Sequence, residues 1–262
     1  AEDVTQWVQR LAPGAGPELS RWLFRETLGN PLFLTATLQS LPEEILRGDL
    51  LPDERLAATR LPETLMNAIR DRLRWLPDDE GRLLELAAVI GRPFRFDRLQ
   101  ALIEARTLAL LETVESLVQR QLLREERDGR YDFTHNKIRE VIYQDLNLVR
   151  RRLLHRRVAE TMEQSEDHRL GEVAGILATH FEQAGAWDKT IQYLTMAADR
   201  ASRLFALHEA NAAYHRALEL AETHPAALDD VGHLHLRQGR GKVRALLVDF
   251  ARSEERRVGK EC

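Results

Sequence analysis

The chain of 262 residues has a single cysteine, Cys262, which excludes an internal disulfide and any cysteine-built metal site. It has no run of ~18 apolar residues, so no membrane-spanning helix is expected. Its opening AEDVTQWVQR lacks the basic-then-apolar pattern of a leader, and the expectation is a cytoplasmic protein without membrane contact. Positive charge is also in short supply. A formal charge of -4 and a pI near 6.2 give no global electrostatic footprint for nucleic acid, which leaves only a local basic patch to consider. What is abundant is apolar residue, 44% of the chain, enough to bury a core in one to three domains.

The apolar residues recur almost everywhere with the 3.6-residue period of amphipathic helices. A first block, Val4 to Leu11, ends at APGAGPELS, where Ser20 is expected to cap a helix beginning at Arg21. A second helix follows the step GNP at 29–31. Charged residues 43–60, with Pro52, read as a linker. LPETLMNAIRDRLRWL and LPDDEGRLLELAAVIG then open on Leu-Pro and carboxylates, which suit a helix N-terminus. Two more helices, RFDRLQALIE and TLALLETVESLVQRQLL, precede LLREERDGRYDF, where Asp128-Gly129 between short apolar runs predicts a β-hairpin. Helices, a hairpin and the helix NKIREVIYQDL give the order of a winged-helix domain. From LVRRRLLHRRVAETME onward the chain reads as paired helices.

HFEQAGAWDKTIQYLTMAADRA resembles the tetratricopeptide pattern, with Gly185, Trp187, Leu194 and Ala197 at turn and packing positions. ALHEANAAYHRALELAE repeats it with Ala210, Tyr214 and Ala217. The matching positions Thr190 and Ala210 are 20 apart against about 34 for that repeat, which leaves a continuous or shared helix open. LLVDFARS is read as the opening of a third repeat. The fold class is therefore mainly α: lid helices over 1–60, a winged helix with a small hairpin over 61–146, and tetratricopeptide-like repeats over 147–251.

No motif supplies a catalytic centre. GRGK at 239–242 has the wrong spacing for a phosphate loop and reads as a turn between repeat helices, and ALLVDF at 245–250 has no phosphate loop before it to make it a magnesium-binding strand. The nine histidines form no metal set: His233 and His235 are two apart, whereas helical ligands need three or four. No G-x-S-x-G nucleophile signature is present. RRRLLHRR, at 150–157, reads as an amphipathic helix with a basic solvent face, Leu153, Leu154 and Val158 turning inward. The helix that would read DNA in a winged helix carries Glu112 and Glu115 against Arg120, a poor match to a phosphate-lined groove. Pro31 suits the first turn of a helix, and His135 suits a cap for the helix after the hairpin.

Together and in this order, GNPLFL, LPETLMNAIRDRL and FTHNKIREVIY resemble the signal-transduction ATPases with numerous domains, most closely the bacterial transcriptional regulators with a central ATPase and tetratricopeptide repeats. The resemblance spans 1–251. It implies that Pro31 packs on an adenine ring, with Gly29 and Asn30 forming its turn. It also implies that His135, in Phe133-Thr134-His135, reaches the β-phosphate of bound ADP, as a group whose charge is tunable near neutral pH. The cofactors implied are ADP or ATP with magnesium in a full-length protein, none held stably by this chain. The partners implied are an N-terminal nucleotide-binding core, a protein or small-molecule inducer at the repeats, a second copy in the active state, and DNA through a separate output domain. Phosphate loop, magnesium-binding strand and first sensor are absent from these 262 residues, so no hydrolysis is expected of them.

The last eleven residues, RSEERRVGKEC at 252–262, resemble the translation of a common sequencing adapter and are set apart from fold reasoning. With Ala1 in place of Met, the expectation is a fragment lacking both true ends. The reading that follows is part of a nucleotide-regulated signalling ATPase. Its alternatives are a winged-helix DNA-binding module, distinguished by an exposed and basic helix over 107–123, and a tetratricopeptide scaffold without nucleotide.

Overall fold

A computed structural model describes residues 6–8, 10, 17–27, 34, 38, 63–91, 93–103 and 106–258. The chain divides into two compact units, Ala1–Leu146 and Asn147–Cys262. It is mainly helical, with one small antiparallel sheet and a run of repeated helices.

In the first unit, helix α1 (Pro17–Thr27) starts on proline, whose fixed φ and missing N–H suit a first turn. The expected start at Arg21 is corrected by four residues, and Ser20 lies buried within the helix instead of capping it. Leu19, Trp22 and Leu23 of α1 form a small core with Val8, Leu34 and Leu38. The linker at 43–60 lies outside the described residues.

Helices α2 (Glu63–Arg74) and α3 (Asp78–Ile90) lead into β1 (Phe94–Arg95), α4 (Phe96–Leu102) and α5 (Thr107–Gln119). Strands β2 (Leu123–Glu125) and β3 (Arg130–Phe133) follow, then α6 (Asn136–Asp145). The strand order is β1-β3-β2, with Phe94 opposite Tyr131 and Leu123 opposite Phe133. This is a winged helix. Between β2 and β3 the chain turns through Asp128 and Gly129 at φ 63° and 65°, the paired left-handed conformation that a tight hairpin demands and that Asp-Gly supplies. Its core joins Leu84 and Ala87 of α3, Val114 and Leu117 of α5, Phe133, and Ile138 and Val141 of α6, all buried. Glu80, in the first turn of α3, accepts a 2.7 Å hydrogen bond from Ser116 and pairs with Arg120 at 3.1 Å, fixing α3 against the end of α5.

Two expectations change here. The hairpin gains a third strand, β1, and the helix expected over 107–123 ends at Gln119, because Leu122 and Leu123 turn into the sheet and core.

The second unit is an antiparallel array of α7 (Leu148–Ser165), α8 (Leu170–Ala184), α9 (Trp187–Arg203), α10 (Leu207–Thr223) and α11 (Asp230–Val258), each packed chiefly on the next. Gly185 closes α8 at φ 76°, the left-handed cap that glycine adopts without strain. Thr190 and Ala210, both fully buried, take corresponding places on the adjacent helices α9 and α10. Their 20-residue spacing is thus the length of one helix and its turn, and α9 serves both apparent repeats.

The expected turn at GRGK is corrected: residues 239–242 lie inside α11, as does 245–250, so LLVDFARS continues a helix and opens none. The reading of α7 shifts in phase, with His155, Val158, Ala159 and Met162 inside and Leu153 exposed. Residues 252–258 extend α11, as their Glu- and Arg-rich sequence allows.

Candidate functional site

The described part of the expected nucleotide site is the junction of β3 and α6. Phe133 ends the strand fully buried, and the Thr134 N–H donates to the Leu122 carbonyl at 3.1 Å, which locks the chain to the edge of β2. His135 follows in extended conformation at the N-cap position of α6, its carbonyl accepting from Ile138 N–H at 3.1 Å. Its side chain makes no capping hydrogen bond, and the residue is only 8% exposed. His135 therefore starts the helix through its backbone, and its side chain is largely covered.

The residues after it are absorbed by structure. Ile138 is core, Arg139 donates from Nε to the Ala88 carbonyl at 2.9 Å, and Lys137 pairs with Glu140 at 3.0 Å. Arg139 also lies over the Tyr143 ring at 5.9 Å. An arginine on a carbonyl in the last turn of α3 complements that helix's negative end. Gly29, Asn30 and Pro31 lie outside the described residues, so of the expected nucleotide contacts only His135 has a described position. One imidazole does not make a nucleotide site. Among the described residues no group of three or more metal-ligating side chains occurs.

The helix that would read DNA, α5, turns Leu108, Glu112, Glu115 and Gln119 outward at spacings of four, three and four. Its free face is apolar and acidic. Tyr131 on the neighbouring strand has its phenol pKa raised by burial and by the charges of Glu125 and Glu115.

The repeat array holds three polar clusters that the sequence pattern did not reveal. His155 and His180 meet Nδ1 to Nδ1 at 2.9 Å between α7 and α8, both buried. Glu163 of α7 accepts from Lys189 at 2.6 Å and from the Tyr193 hydroxyl. Burial pushes the Glu163 pKa up, but the hydrogen bonds from Lys189 and Tyr193 and the lysine charge outweigh it and hold the carboxyl below its usual value. Asp199 of α9 accepts from the Tyr214 hydroxyl of α10 and lies 3.3 Å from His235 Nε2 of α11, so one carboxylate ties three helices. Burial, then the carboxylate, raise the Tyr193 and Tyr214 phenol pKa values well above the ordinary range. The one available sequence signal was phase: His155 falls in step with Val158, Ala159 and Met162, which places it on the apolar side.

No protein-family model matches this sequence, and no curated protein does. Among solved structures, the chain aligns with a signal transduction ATPase with numerous domains that carries a tetratricopeptide repeat sensor, from Pyrococcus horikoshii. The identity is 14% and the TM-score 0.34, over 92% of this chain and 44% of that one. The chain thus spans less than half the length of that protein, and so low a score leaves function to be argued from the residues themselves.

Proposed function

We propose that the chain is the lid, winged-helix and helical-repeat portion of a nucleotide-regulated signalling ATPase. A separate N-terminal core would supply the phosphate loop and magnesium site. The observation that carries the reading is the place of His135: a buried imidazole at a strand-to-helix junction whose side chain is not used to cap the helix it starts. In such a setting a charge-assisted hydrogen bond to phosphate is strengthened by low local dielectric. ADP, held by Pro31 on its base and His135 on its β-phosphate, keeps lid and winged helix closed on the core. ATP and an inducer at the repeats favour an open, self-associating state, and DNA is reached through an output domain outside this chain.

The test is made in the protein that joins this chain to such a core. His135→Ala should weaken ADP by ~10-fold or more, the equivalent of a charge-assisted hydrogen bond of ~1.5 to 3 kcal/mol, and change ATP affinity much less. His135→Gln, which keeps a donor, should recover part of the loss. Equal loss of both nucleotides, or no loss, would remove His135 from the switch.

The DNA-binding alternative loses its main support, since the outward face of α5 carries Glu112 and Glu115 and no cation. The scaffold alternative draws on the turn between α9 and α10. There Leu204 and Phe205 are two-thirds exposed or more, and Phe205 is held at φ 57°. A large apolar residue in that conformation is strained, and strain of this kind gathers at binding sites.

A further inference from the structure

Three arginines of α11, Arg237, Arg240 and Arg244, fall at spacings of three and four and share one face of the helix. Opposite them on α10 stand His215, Glu219 and Glu222, and together they line a groove of about 380 Å³. That volume lies within the ~300 to 1,000 Å³ usual for small-ligand sites.

None of the three arginines forms an ion pair with a described residue, whereas Arg216, on α10, pairs with both Glu182 and Glu219. The Arg240 Nε is closed to solvent and donates to no described atom. A buried donor without an acceptor costs stability, and no described residue offsets that cost at Arg240.

Gly241 is the second sign. A glycine inside a helix is less stable than alanine there, and packing commonly explains its presence. At Gly241 an added Cβ would meet nothing within 4 Å, yet the residue lines the groove. Its missing side chain keeps the floor open between the arginines. The opposing carboxylates are mostly spent: Glu219 is held by Arg216 at 3.4 Å and lies 3.6 Å from His215, which leaves Glu222 as the one unbalanced acid.

We infer that the groove between α10 and α11 is a binding site for a small polyanion carrying phosphate or carboxylate groups. Planar guanidinium forks suit both chemistries, and three on one helix face favour a ligand with at least two negative charges. The site stands on its own geometry. That its ligand serves as the inducer of the switch rests on the function proposed above.

The experiment titrates the whole purified chain with inorganic pyrophosphate and, separately, with citrate, at constant ionic strength, followed by calorimetry and by Arg Nε–H NMR signals. Saturable one-to-one binding at ~1 mM or tighter is expected, weakened ~10-fold by Arg240→Gln. Glu222→Gln should tighten it ~3-fold by removing the opposing charge. Gly241→Leu should abolish binding while the melting temperature holds or rises, because leucine is the better helix former. A preference for pyrophosphate marks a phosphate ligand, and the reverse a carboxylate. No saturable binding of either anion, or unchanged affinity in Gly241→Leu, overturns the inference. An inert His135→Ala in the nucleotide assay would leave this result standing, so the two readings fail separately.

Discussion

Gly239 and Gly241 sit two residues apart in α11, and replacing each with alanine should move stability in opposite directions. A methyl group at Gly239 would lie 2.5 Å from Cζ of Tyr214 and 2.7 Å from its Cε1 and hydroxyl, distances that no real contact sustains. The ring has nowhere to go: Tyr214 is buried, and its hydroxyl is anchored on Asp199 of α9. Alanine gains ~1 kcal/mol of helix propensity. Against that stand overpacking of ~1 to 3 kcal/mol and a strained or lost hydrogen bond to a carboxylate of ~1.5 to 3 kcal/mol. The balance for Gly239→Ala is a loss of roughly 1.5 to 5 kcal/mol, and at about 4 °C per kcal/mol for a unit of this size the melting temperature should fall by roughly 6 to 20 °C. Gly241→Ala, with open space around it, should gain ~1 kcal/mol and melt a few degrees higher. Thermal unfolding of both variants by circular dichroism at one scan rate decides the matter. A Gly239→Ala protein as stable as the parent would show that Tyr214 does not close the α10–α11 interface in this way.

Because the Glu163 pKa is depressed in the folded state, its contribution is present above the unfolded value near 4.5 and lost as pH falls through the folded one. Denaturant titrations from pH 7 to pH 3 should therefore show Glu163→Gln destabilised at neutral pH and less sensitive to acid below ~4.5, and identical slopes would refute the linkage. Deleting residues 252–262 should change the denaturation midpoint by no more than ~0.5 kcal/mol equivalent, since 252–258 only lengthen the end of α11, and a larger loss would mean that the tail packs. The chain alone should not turn over ATP above background, because phosphate positioning and magnesium coordination supply most of phosphoryl-transfer catalysis. Magnesium-dependent release of phosphate by the purified chain would contradict this.

How far the sequence foretold these features depended on whether the signal was local. Asp128-Gly129 named its own turn, because few residue pairs tolerate two consecutive left-handed positions. Strand β1 was invisible: two residues carry no period, and Phe94 and Arg95 become a strand only because β3 arrives beside them. GRGK was misread for the same reason in reverse. Two glycines in four residues look like a break, yet Gly239 is demanded by a tyrosine 25 positions earlier in the sequence, and no window along the chain contains that partner. The exposed Leu153 shows that phase, too, is a tertiary matter, since α7 buries the row running through His155 and leaves a leucine outside. At the candidate site, the backbone place of His135 was legible from the hairpin before it, whereas the burial of its imidazole was not.

The electrostatics of α5 bear on what a winged helix does in this chain. A reading helix binds DNA by bringing cations to phosphates and releasing condensed counterions, each neutralised phosphate adding about 0.9 to the salt slope. The outward row Leu108, Glu112, Glu115, Gln119 brings none and adds two carboxylates that would face the backbone. Arg120, the nearest cation after them, is engaged with Glu80 at 3.1 Å, and its carbonyl accepts from Arg72. Arg124 is likewise drawn onto Glu126 at 2.8 Å and Asp132 at 3.2 Å. Arg120 and Arg124 are thus held by the domain's own acids and stabilise the fold, leaving the outward row of α5 a surface suited to protein contact. Charge reversal makes this testable in one step: Glu112→Lys with Glu115→Lys should create salt-sensitive DNA affinity that the parent lacks, measured by fluorescence anisotropy on a random duplex. Parent protein that binds the duplex with a steep salt slope would put DNA back among its ligands.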